Sequence, residues 1–254
     1  MKNNTFGWDV EQSVSAKPCL KQGDLIVFPE EVDETRRVAI VVTADCDLER
    51  KKHANLVTLV PVVTEKLILE RYLLPDDCTN KIEQIRGHAM KECGIDKTHD
   101  QIVQTELLLA ALEEKSKTDH IARLISNFIA DAVECISVDD YKSLMSRVNV
   151  KAKKSSSFAD QIGSRGDLMI LPDASELDVS ARIAWVRHVW QIPAGSIALK
   201  NSDVSARPGE RRARLSSPFR YRLTQLMGQV FTDIGLPDVP VDLNKNVSEV
   251  FGDA

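Results

Sequence analysis

Gly23-Asp24-Leu25-Ile26-Val27-Phe28-Pro29-Glu30 recurs later in the chain as Gly166-Asp167-Leu168-Met169-Ile170-Leu171-Pro172-Asp173. Each copy is followed, across a polar loop, by an arginine and an apolar run. These are Arg37-Val38-Ala39-Ile40-Val41-Val42 in the first and Arg182-Ile183-Ala184-Trp185-Val186 in the second. A Gly-Asp turn opens the first strand of each pair, and Pro with an acid closes it. The second runs are rich in β-branched residues, which suit a buried pleated surface. Eight aligned positions of like character, then a second match, mark repetition of a unit rather than coincidence between two strand starts. Two related small β-units are therefore expected, one on each side of a middle segment.

In that middle the hydrophobic period changes from near 2 to 3.6. A strand over Leu56–Val63 precedes helices expected over Glu65–Leu74 and Asn80–Lys91. Leu107, Leu108 and Leu112 mark a further helix from about Thr105. Ile121, Leu124, Ile125, Phe128, Ile129, Ala132 and Val133 follow at three- and four-residue spacing, with Thr118 or Asp119 placed to cap. Ser137 with Asp140 suggests another cap before Tyr141–Val148. Lys151–Gly166 is polar, basic at its start and serine-rich, and is expected to be a linker or long loop. Ser217-Pro218 supplies a cap and a first-turn proline. Phe219, Leu223, Leu226, Val230, Phe231 and Ile234 make one helical face, which Gly235 and Pro237 end.

The totals set bounds. A chain of 254 residues, 43% hydrophobic and 28% charged, can bury a real core. Five cysteines, scattered and odd in number, argue against a disulfide framework and for a reducing cytoplasm. No stretch approaches the ~18 apolar residues of a membrane span, and MKNNTFGWDVEQ lacks the features of a secretory signal. A net charge of −5 leaves room only for a local basic patch. No cofactor is expected.

Four groups could carry chemistry. Asp45, Cys46 and Asp47, with His53 shortly after, sit where the strand Val38–Val42 should end. Two carboxylates beside Cys46 would raise a thiol pKa, which disfavours a nucleophile. Asp45, Asp47 and His53 suit a divalent ion better. The alternative is a turn whose aspartates satisfy backbone donors while Cys46 fills the core. Cys78, His88, Cys93 and His99 are zinc-capable, yet their run lacks the close opening pair of a structural site. Arg207, Arg211, Arg212, Arg214, Arg220 and Arg222 stand against Glu210 alone and run into a helix start at Ser217. Arginine forks match phosphate, so this segment is a candidate ligand contact; the alternative is a solvated loop paired with surplus acids. Along a strand, Trp185 would face one side and His188 and Trp190 the other, unless a bulge intervenes. No Ser-His-Asp elbow, phosphate-cradling glycine loop or HExxH helix is present, which argues against the common enzyme classes.

The stretch from Gly23-Asp24-Leu25-Ile26-Val27 through Arg36-Arg37-Val38-Ala39-Ile40-Val41-Val42 to Leu56–Val63 resembles the opening of the MazF/PemK-type toxin barrel. That resemblance implies a small SH3-like barrel and, in the toxins, RNA cleavage by an arginine, whose place here is taken by Arg36. Arg37 replaces the family's proline, and the later part of the barrel is not recognisable. Thr43-Ala44-Asp45-Cys46-Asp47, with Ser217-Pro218-Phe219-Arg220 and Gly235-Leu236-Pro237, resembles uncharacterised bacterial proteins of phage-defence and other conflict systems. The expected fold is mixed α+β, with two SH3-like small β-barrel units related by internal duplication, a helical insert and a C-terminal helix. Its parts are a first β-unit at 1–75, a helical middle at 76–150, a linker at 151–165 and a second β-unit with its helix at 166–254. The expected function is a non-enzymatic binding or regulatory component of a conflict system, contacting nucleic acid or a partner protein and no membrane. The alternative is a divergent MazF-like endoribonuclease using Arg36, with Asp45, Asp47 and His53.

Overall fold

The computed structural model describes residues 6–10, 19–52, 54–96, 98 and 100–232. His53, His99, Ile234, Gly235, Pro237 and the acidic tail lie outside the described residues. The strands are β1 (Trp8–Asp9), β2 (Asp24–Val27), β3 (Val38–Val41), β4 (Leu56–Val63) and β5 (Leu168–Ile170). They continue with β6 (Ile183–Trp185), β7 (Trp190–Pro193), β8 (Ile197–Ala198) and β9 (Gly209–Leu215). All nine join one sheet, in the order β1-β9-β2-β3-β4-β6-β5, with β7 also on β4 and β8 on β9. The sheet is antiparallel except for the β8–β9 pair, and it curls into a half-barrel.

The repeated stretches form the two hairpins β2–β3 and β5–β6. In the first, Leu25 pairs with Ile40, Ile26 with Ala39 and Val27 with Val38. In the second, Leu168 pairs with Trp185, Met169 with Ala184 and Ile170 with Ile183. Aligned by the sequence repeat, the two registers coincide residue for residue. The next hydrogen bond also matches: Phe28 N donates to Arg37 O, and Leu171 N to Arg182 O, both at 2.8 Å.

The hairpins flank β4, which pairs with β3 on one edge and with β6 on the other. They present opposite faces. Leu25 and Ile40 enter a central core with Val60 and Val62, whereas their counterparts Leu168 and Trp185 join Val63 in a second, helical core. Met169 and Ala184, one residue out of phase, complete the central core. Because side chains alternate along a strand, a hairpin turned over about β4 shows its other face to the same core. Both hairpins thus build a shared interior, which helix α9 (Ser217–Thr232) covers with Leu223, Leu226 and Val230. Each such buried aliphatic side chain contributes about 1.5–3 kcal/mol.

Helices α1 (Asp45–Glu49), α2 (Glu65–Ile68), α3 (Leu74–Thr79), α4 (Ile82–Cys93) and α5 (Gln101–Ser116) follow the first hairpin. Next come α6 (His120–Ile129), α7 (Val138–Arg147), α8 (Ser155–Ser164) and, after the last strand, α9 (Ser217–Thr232). Asp119 settles the first cap, accepting from the backbone N–H groups of Ile121 and Ala122, and Ser137 accepts from Asp140 N at 3.0 Å. Helix α5 starts before Thr105 because Asp100 caps it, accepting from Ile102 N and Val103 N. Buried Asp77 accepts from the Tyr141 hydroxyl at 2.7 Å and pairs with Lys81, so the polar group inside the helical core is satisfied.

Three expectations change. The 151–165 stretch is largely helical: Phe158 and Ile162, four residues apart, bury one stripe of α8 against the other helices. Serine-rich composition concealed that pair. The helix expected over Glu65–Leu74 is interrupted by a π-helical turn at Leu69–Leu73 and resumes as α3. The strand through Trp185 and Trp190 breaks at 186–189, with β6 and β7 sharing one edge of β4. That break puts both tryptophans on the face of Leu59 and Val63, Trp185 in the helical core and Trp190 against a third core around Leu59. His188 folds back on Trp185, with ring centroids 3.7 Å apart.

Candidate functional site

The arginine segment forms strand β9 and the start of α9 rather than a loop, and β9 places its charges mostly against the protein itself. Asp24 is fully buried beside it. Arg214 Nε donates to Asp24 Oδ1 at 2.7 Å, Arg211 lies 3.9 Å from Oδ2, and Lys21 N donates to Oδ2 at 2.8 Å. Burial pushes the Asp24 carboxyl above its ordinary value, and Arg214 and Arg211 only partly counter this. Arg212 pairs with Glu210 at 2.9 Å, Arg207 donates to Ile197 O, and Arg220 reaches Gln22 O and lies 3.8 Å from Asp45. Arg222 is exposed and faces elsewhere, into a groove.

Asp45, Cys46 and Asp47 follow the end of β3, as expected, and form the first turn of α1. Asp45 accepts from Gln22 N at 2.8 Å, and Cys46 is exposed with Sγ 3.8 Å from Asp47 Oδ1. Arg36 is exposed in the loop before β3, 4.0 Å from Asp33, which Arg71 also approaches at 3.9 Å. Strand β3 separates Arg36 from Asp45 and Asp47, so the structure does not bring those residues together. Among the described residues no three His, Cys, Asp or Glu side chains converge as metal ligands would. The Cys78 thiol is buried, and burial, with Asp77 beside it, pushes its pKa up to about 12, away from the thiolate a metal needs.

The groove that receives Arg222 encloses about 900 Å³ between the end of α8, strand β5 and helix α9. This is within the range of ligand sites, about 300–1,000 Å³. Its charged lining is Arg165, Arg187, Arg222 and Asp167, an excess of two positive charges in a chain of net charge −5. Asp167 is the counterpart of Asp24 and is also buried. Arg165 holds it with two parallel bonds of 2.9 Å, and Arg187 lies 3.4 Å away. Burial raises the Asp167 carboxyl, but the Arg165 fork and then Arg187 outweigh it and hold the group below its ordinary value. The same bond raises Arg165 further, so it is cationic at any working pH. The Arg165 guanidinium lies 4.2 Å from the centroid of the Tyr72 ring, whose edge meets Trp185 at 5.9 Å.

Tyr72, Arg165 and Arg187 do not stand out in the sequence read alone. One signal was present: aligned on the repeat, Arg165 and Arg187 replace Gln22 and Val42 at the two ends of the hairpin. Tyr72 carries no comparable mark. No protein-family model, curated protein or solved structure matches the chain. Among the described residues, no helix is long and apolar enough to cross a membrane.

Proposed function

We propose that this chain is a non-enzymatic, cytoplasmic binding component of a bacterial conflict system, of the phage-defence or toxin–antitoxin kind, which grips nucleic acid in the Arg165–Arg187–Arg222 groove. The convergence of three arginines on one open groove, in an acidic chain, carries the reading. Arginine forks match phosphate oxygens, and local positive charge concentrates a polyanion at that groove. The separation of Arg36 from Asp45 and Asp47 favours binding over cleavage. We also take the two hairpins as copies of one SH3-like unit fused into a single sheet; their identical register supports a duplication.

The test is binding of labelled RNA and duplex DNA across a salt series, with each sample also run on a gel. Affinity is expected to fall steeply with salt. Arg187→Ala and Arg222→Ala should each lower the log–log slope by about 1, and no cut product should form. Salt-insensitive or absent binding would overturn the reading, and in that case an acidic protein partner captured by the same arginines would replace nucleic acid. Cut product lost in Arg36→Ala would make the chain an endoribonuclease.

A further inference from the structure

Resting on that reading, we infer that the groove takes unpaired nucleotides and that Tyr72, held under Arg165, is the surface on which a base lies. Tyr72 is 40% exposed although it belongs to the first helical segment of the chain's helical core. It sits on the π-helical turn Leu69–Leu73, with buried Leu67 and Ile68 before it and buried Leu73 and Leu74 after it. Such turns account for well under 1% of residues and concentrate at functional sites, because the wide turn re-aims side chains that an α-helix would place otherwise. Here the turn carries an aromatic ring to the rim of the basic groove.

The ring is also held in place. Arg165 lies over it at 4.2 Å, and Trp185 abuts it edge-on at 5.9 Å. Arg165 in turn is fixed by its two bonds to Asp167. Arg165 covers one face of the ring, and what the half-exposed Tyr72 leaves open to the groove is a preorganised aromatic surface, the kind on which unpaired bases stack. Since Arg165 is committed to Asp167, the phosphate contacts fall to Arg187, whose side chain is 57% exposed, and to exposed Arg222. Duplex DNA keeps its bases stacked inside and can offer that surface nothing, so the division of labour selects a single strand.

The experiment compares three probes on the full chain: a short single-stranded oligonucleotide, the same sequence as a duplex, and inorganic polyphosphate. The single strand should bind at least ~10-fold tighter than the duplex. Tyr72→Leu, which keeps bulk and removes the π face, should weaken the single strand by about 5- to 100-fold and leave polyphosphate binding unchanged. Tyr72→Phe should retain single-strand binding. Equal, salt-sensitive affinity for single strand and duplex would overturn the inference and leave the proposed function standing. Loss of all salt-sensitive binding in the wild-type chain would overturn the proposed function first. If Tyr72→Leu does not fold, the wild-type preference between single strand and duplex decides the matter alone.

Discussion

Asp24 and Asp167 occupy the same position of the same hairpin, and both are buried against two arginines, yet those arginines come from opposite kinds of place. Asp24 takes Arg211 and Arg214 from β9, the strand paired with β2 and some 190 residues away in sequence. Asp167 takes Arg165 and Arg187 from the two ends of its own hairpin. The reason is the sheet order. β2 is flanked on both edges, so a neighbouring strand supplies the counter-charges and seals the carboxylate. Among the described residues β5 ends the order, so no described strand covers it and its arginines stand at a groove. One hairpin holds its carboxylate inside the sheet, and the other, at the edge of the order, holds its carboxylate beside an open groove.

The contrast should be largest in stability. Asp24→Ala removes the buried carboxylate to which the largely buried Arg214 donates at 2.7 Å and is expected to cost about 3–5 kcal/mol. Asp167→Ala frees arginines that already reach solvent and should cost only about 1–3 kcal/mol. Urea unfolding of both variants measures the difference, and equal losses would break the comparison.

A smaller effect separates the glycines. Gly23 has φ +88°, and a Cβ there would meet Arg220 Cδ at 3.0 Å. Gly23→Ala should therefore cost roughly 1–3 kcal/mol. Gly166 lies outside the left-handed region, and a Cβ there would meet nothing within 4 Å. Gly166→Ala should stay within about 0.5 kcal/mol of wild type. Thermal melts of the two alanine variants sharpen the claim that the same motif serves two duties.

The smallest effect is in the sign of the pH dependence. The Asp24 carboxyl is raised above 3.8 in the folded chain. Over the interval from 3.8 to its raised value the folded state binds more protons than the unfolded, so its contribution is full below 3.8 and is lost as pH rises. The Asp167 carboxyl is lowered, so its contribution is full above 3.8 and is lost as pH falls through the folded value. Stability measured from about pH 3 to 7 for wild type, Asp24→Asn and Asp167→Asn should show the wild-type advantage shrinking with rising pH in the first comparison and growing in the second. Slopes of the same sign would show that the two carboxylates are not differently held.

Much of the fold was legible in the chain. The hairpins, β4 and the stripes of α6 and α7 are signalled by periods of 2 and 3.6 and by capping residues, all of which act over a few positions. The site was less legible. The six arginines of 207–222 read as one patch because composition records only their proximity in sequence. The fold splits them: the register of β9 against β2 skips Arg212, so Arg211 and Arg214 both reach Asp24 although three residues apart, Arg212 meets Glu210, and Arg222, on α9, alone of the six turns to the groove. The Trp185–His188 contact was missed for a related reason, since the break at 186–189 lies between two runs that each look like strand.

The local elements and the repeat can be read along the chain, because turn residues, side-chain period and hairpin register depend on neighbours a few positions apart. Which arginines are tied down and which reach an open groove is set by the packing of the sheet and α9. A guanidinium binds a buried carboxylate or a phosphate equally readily, and the choice depends on what the sheet order places beside it.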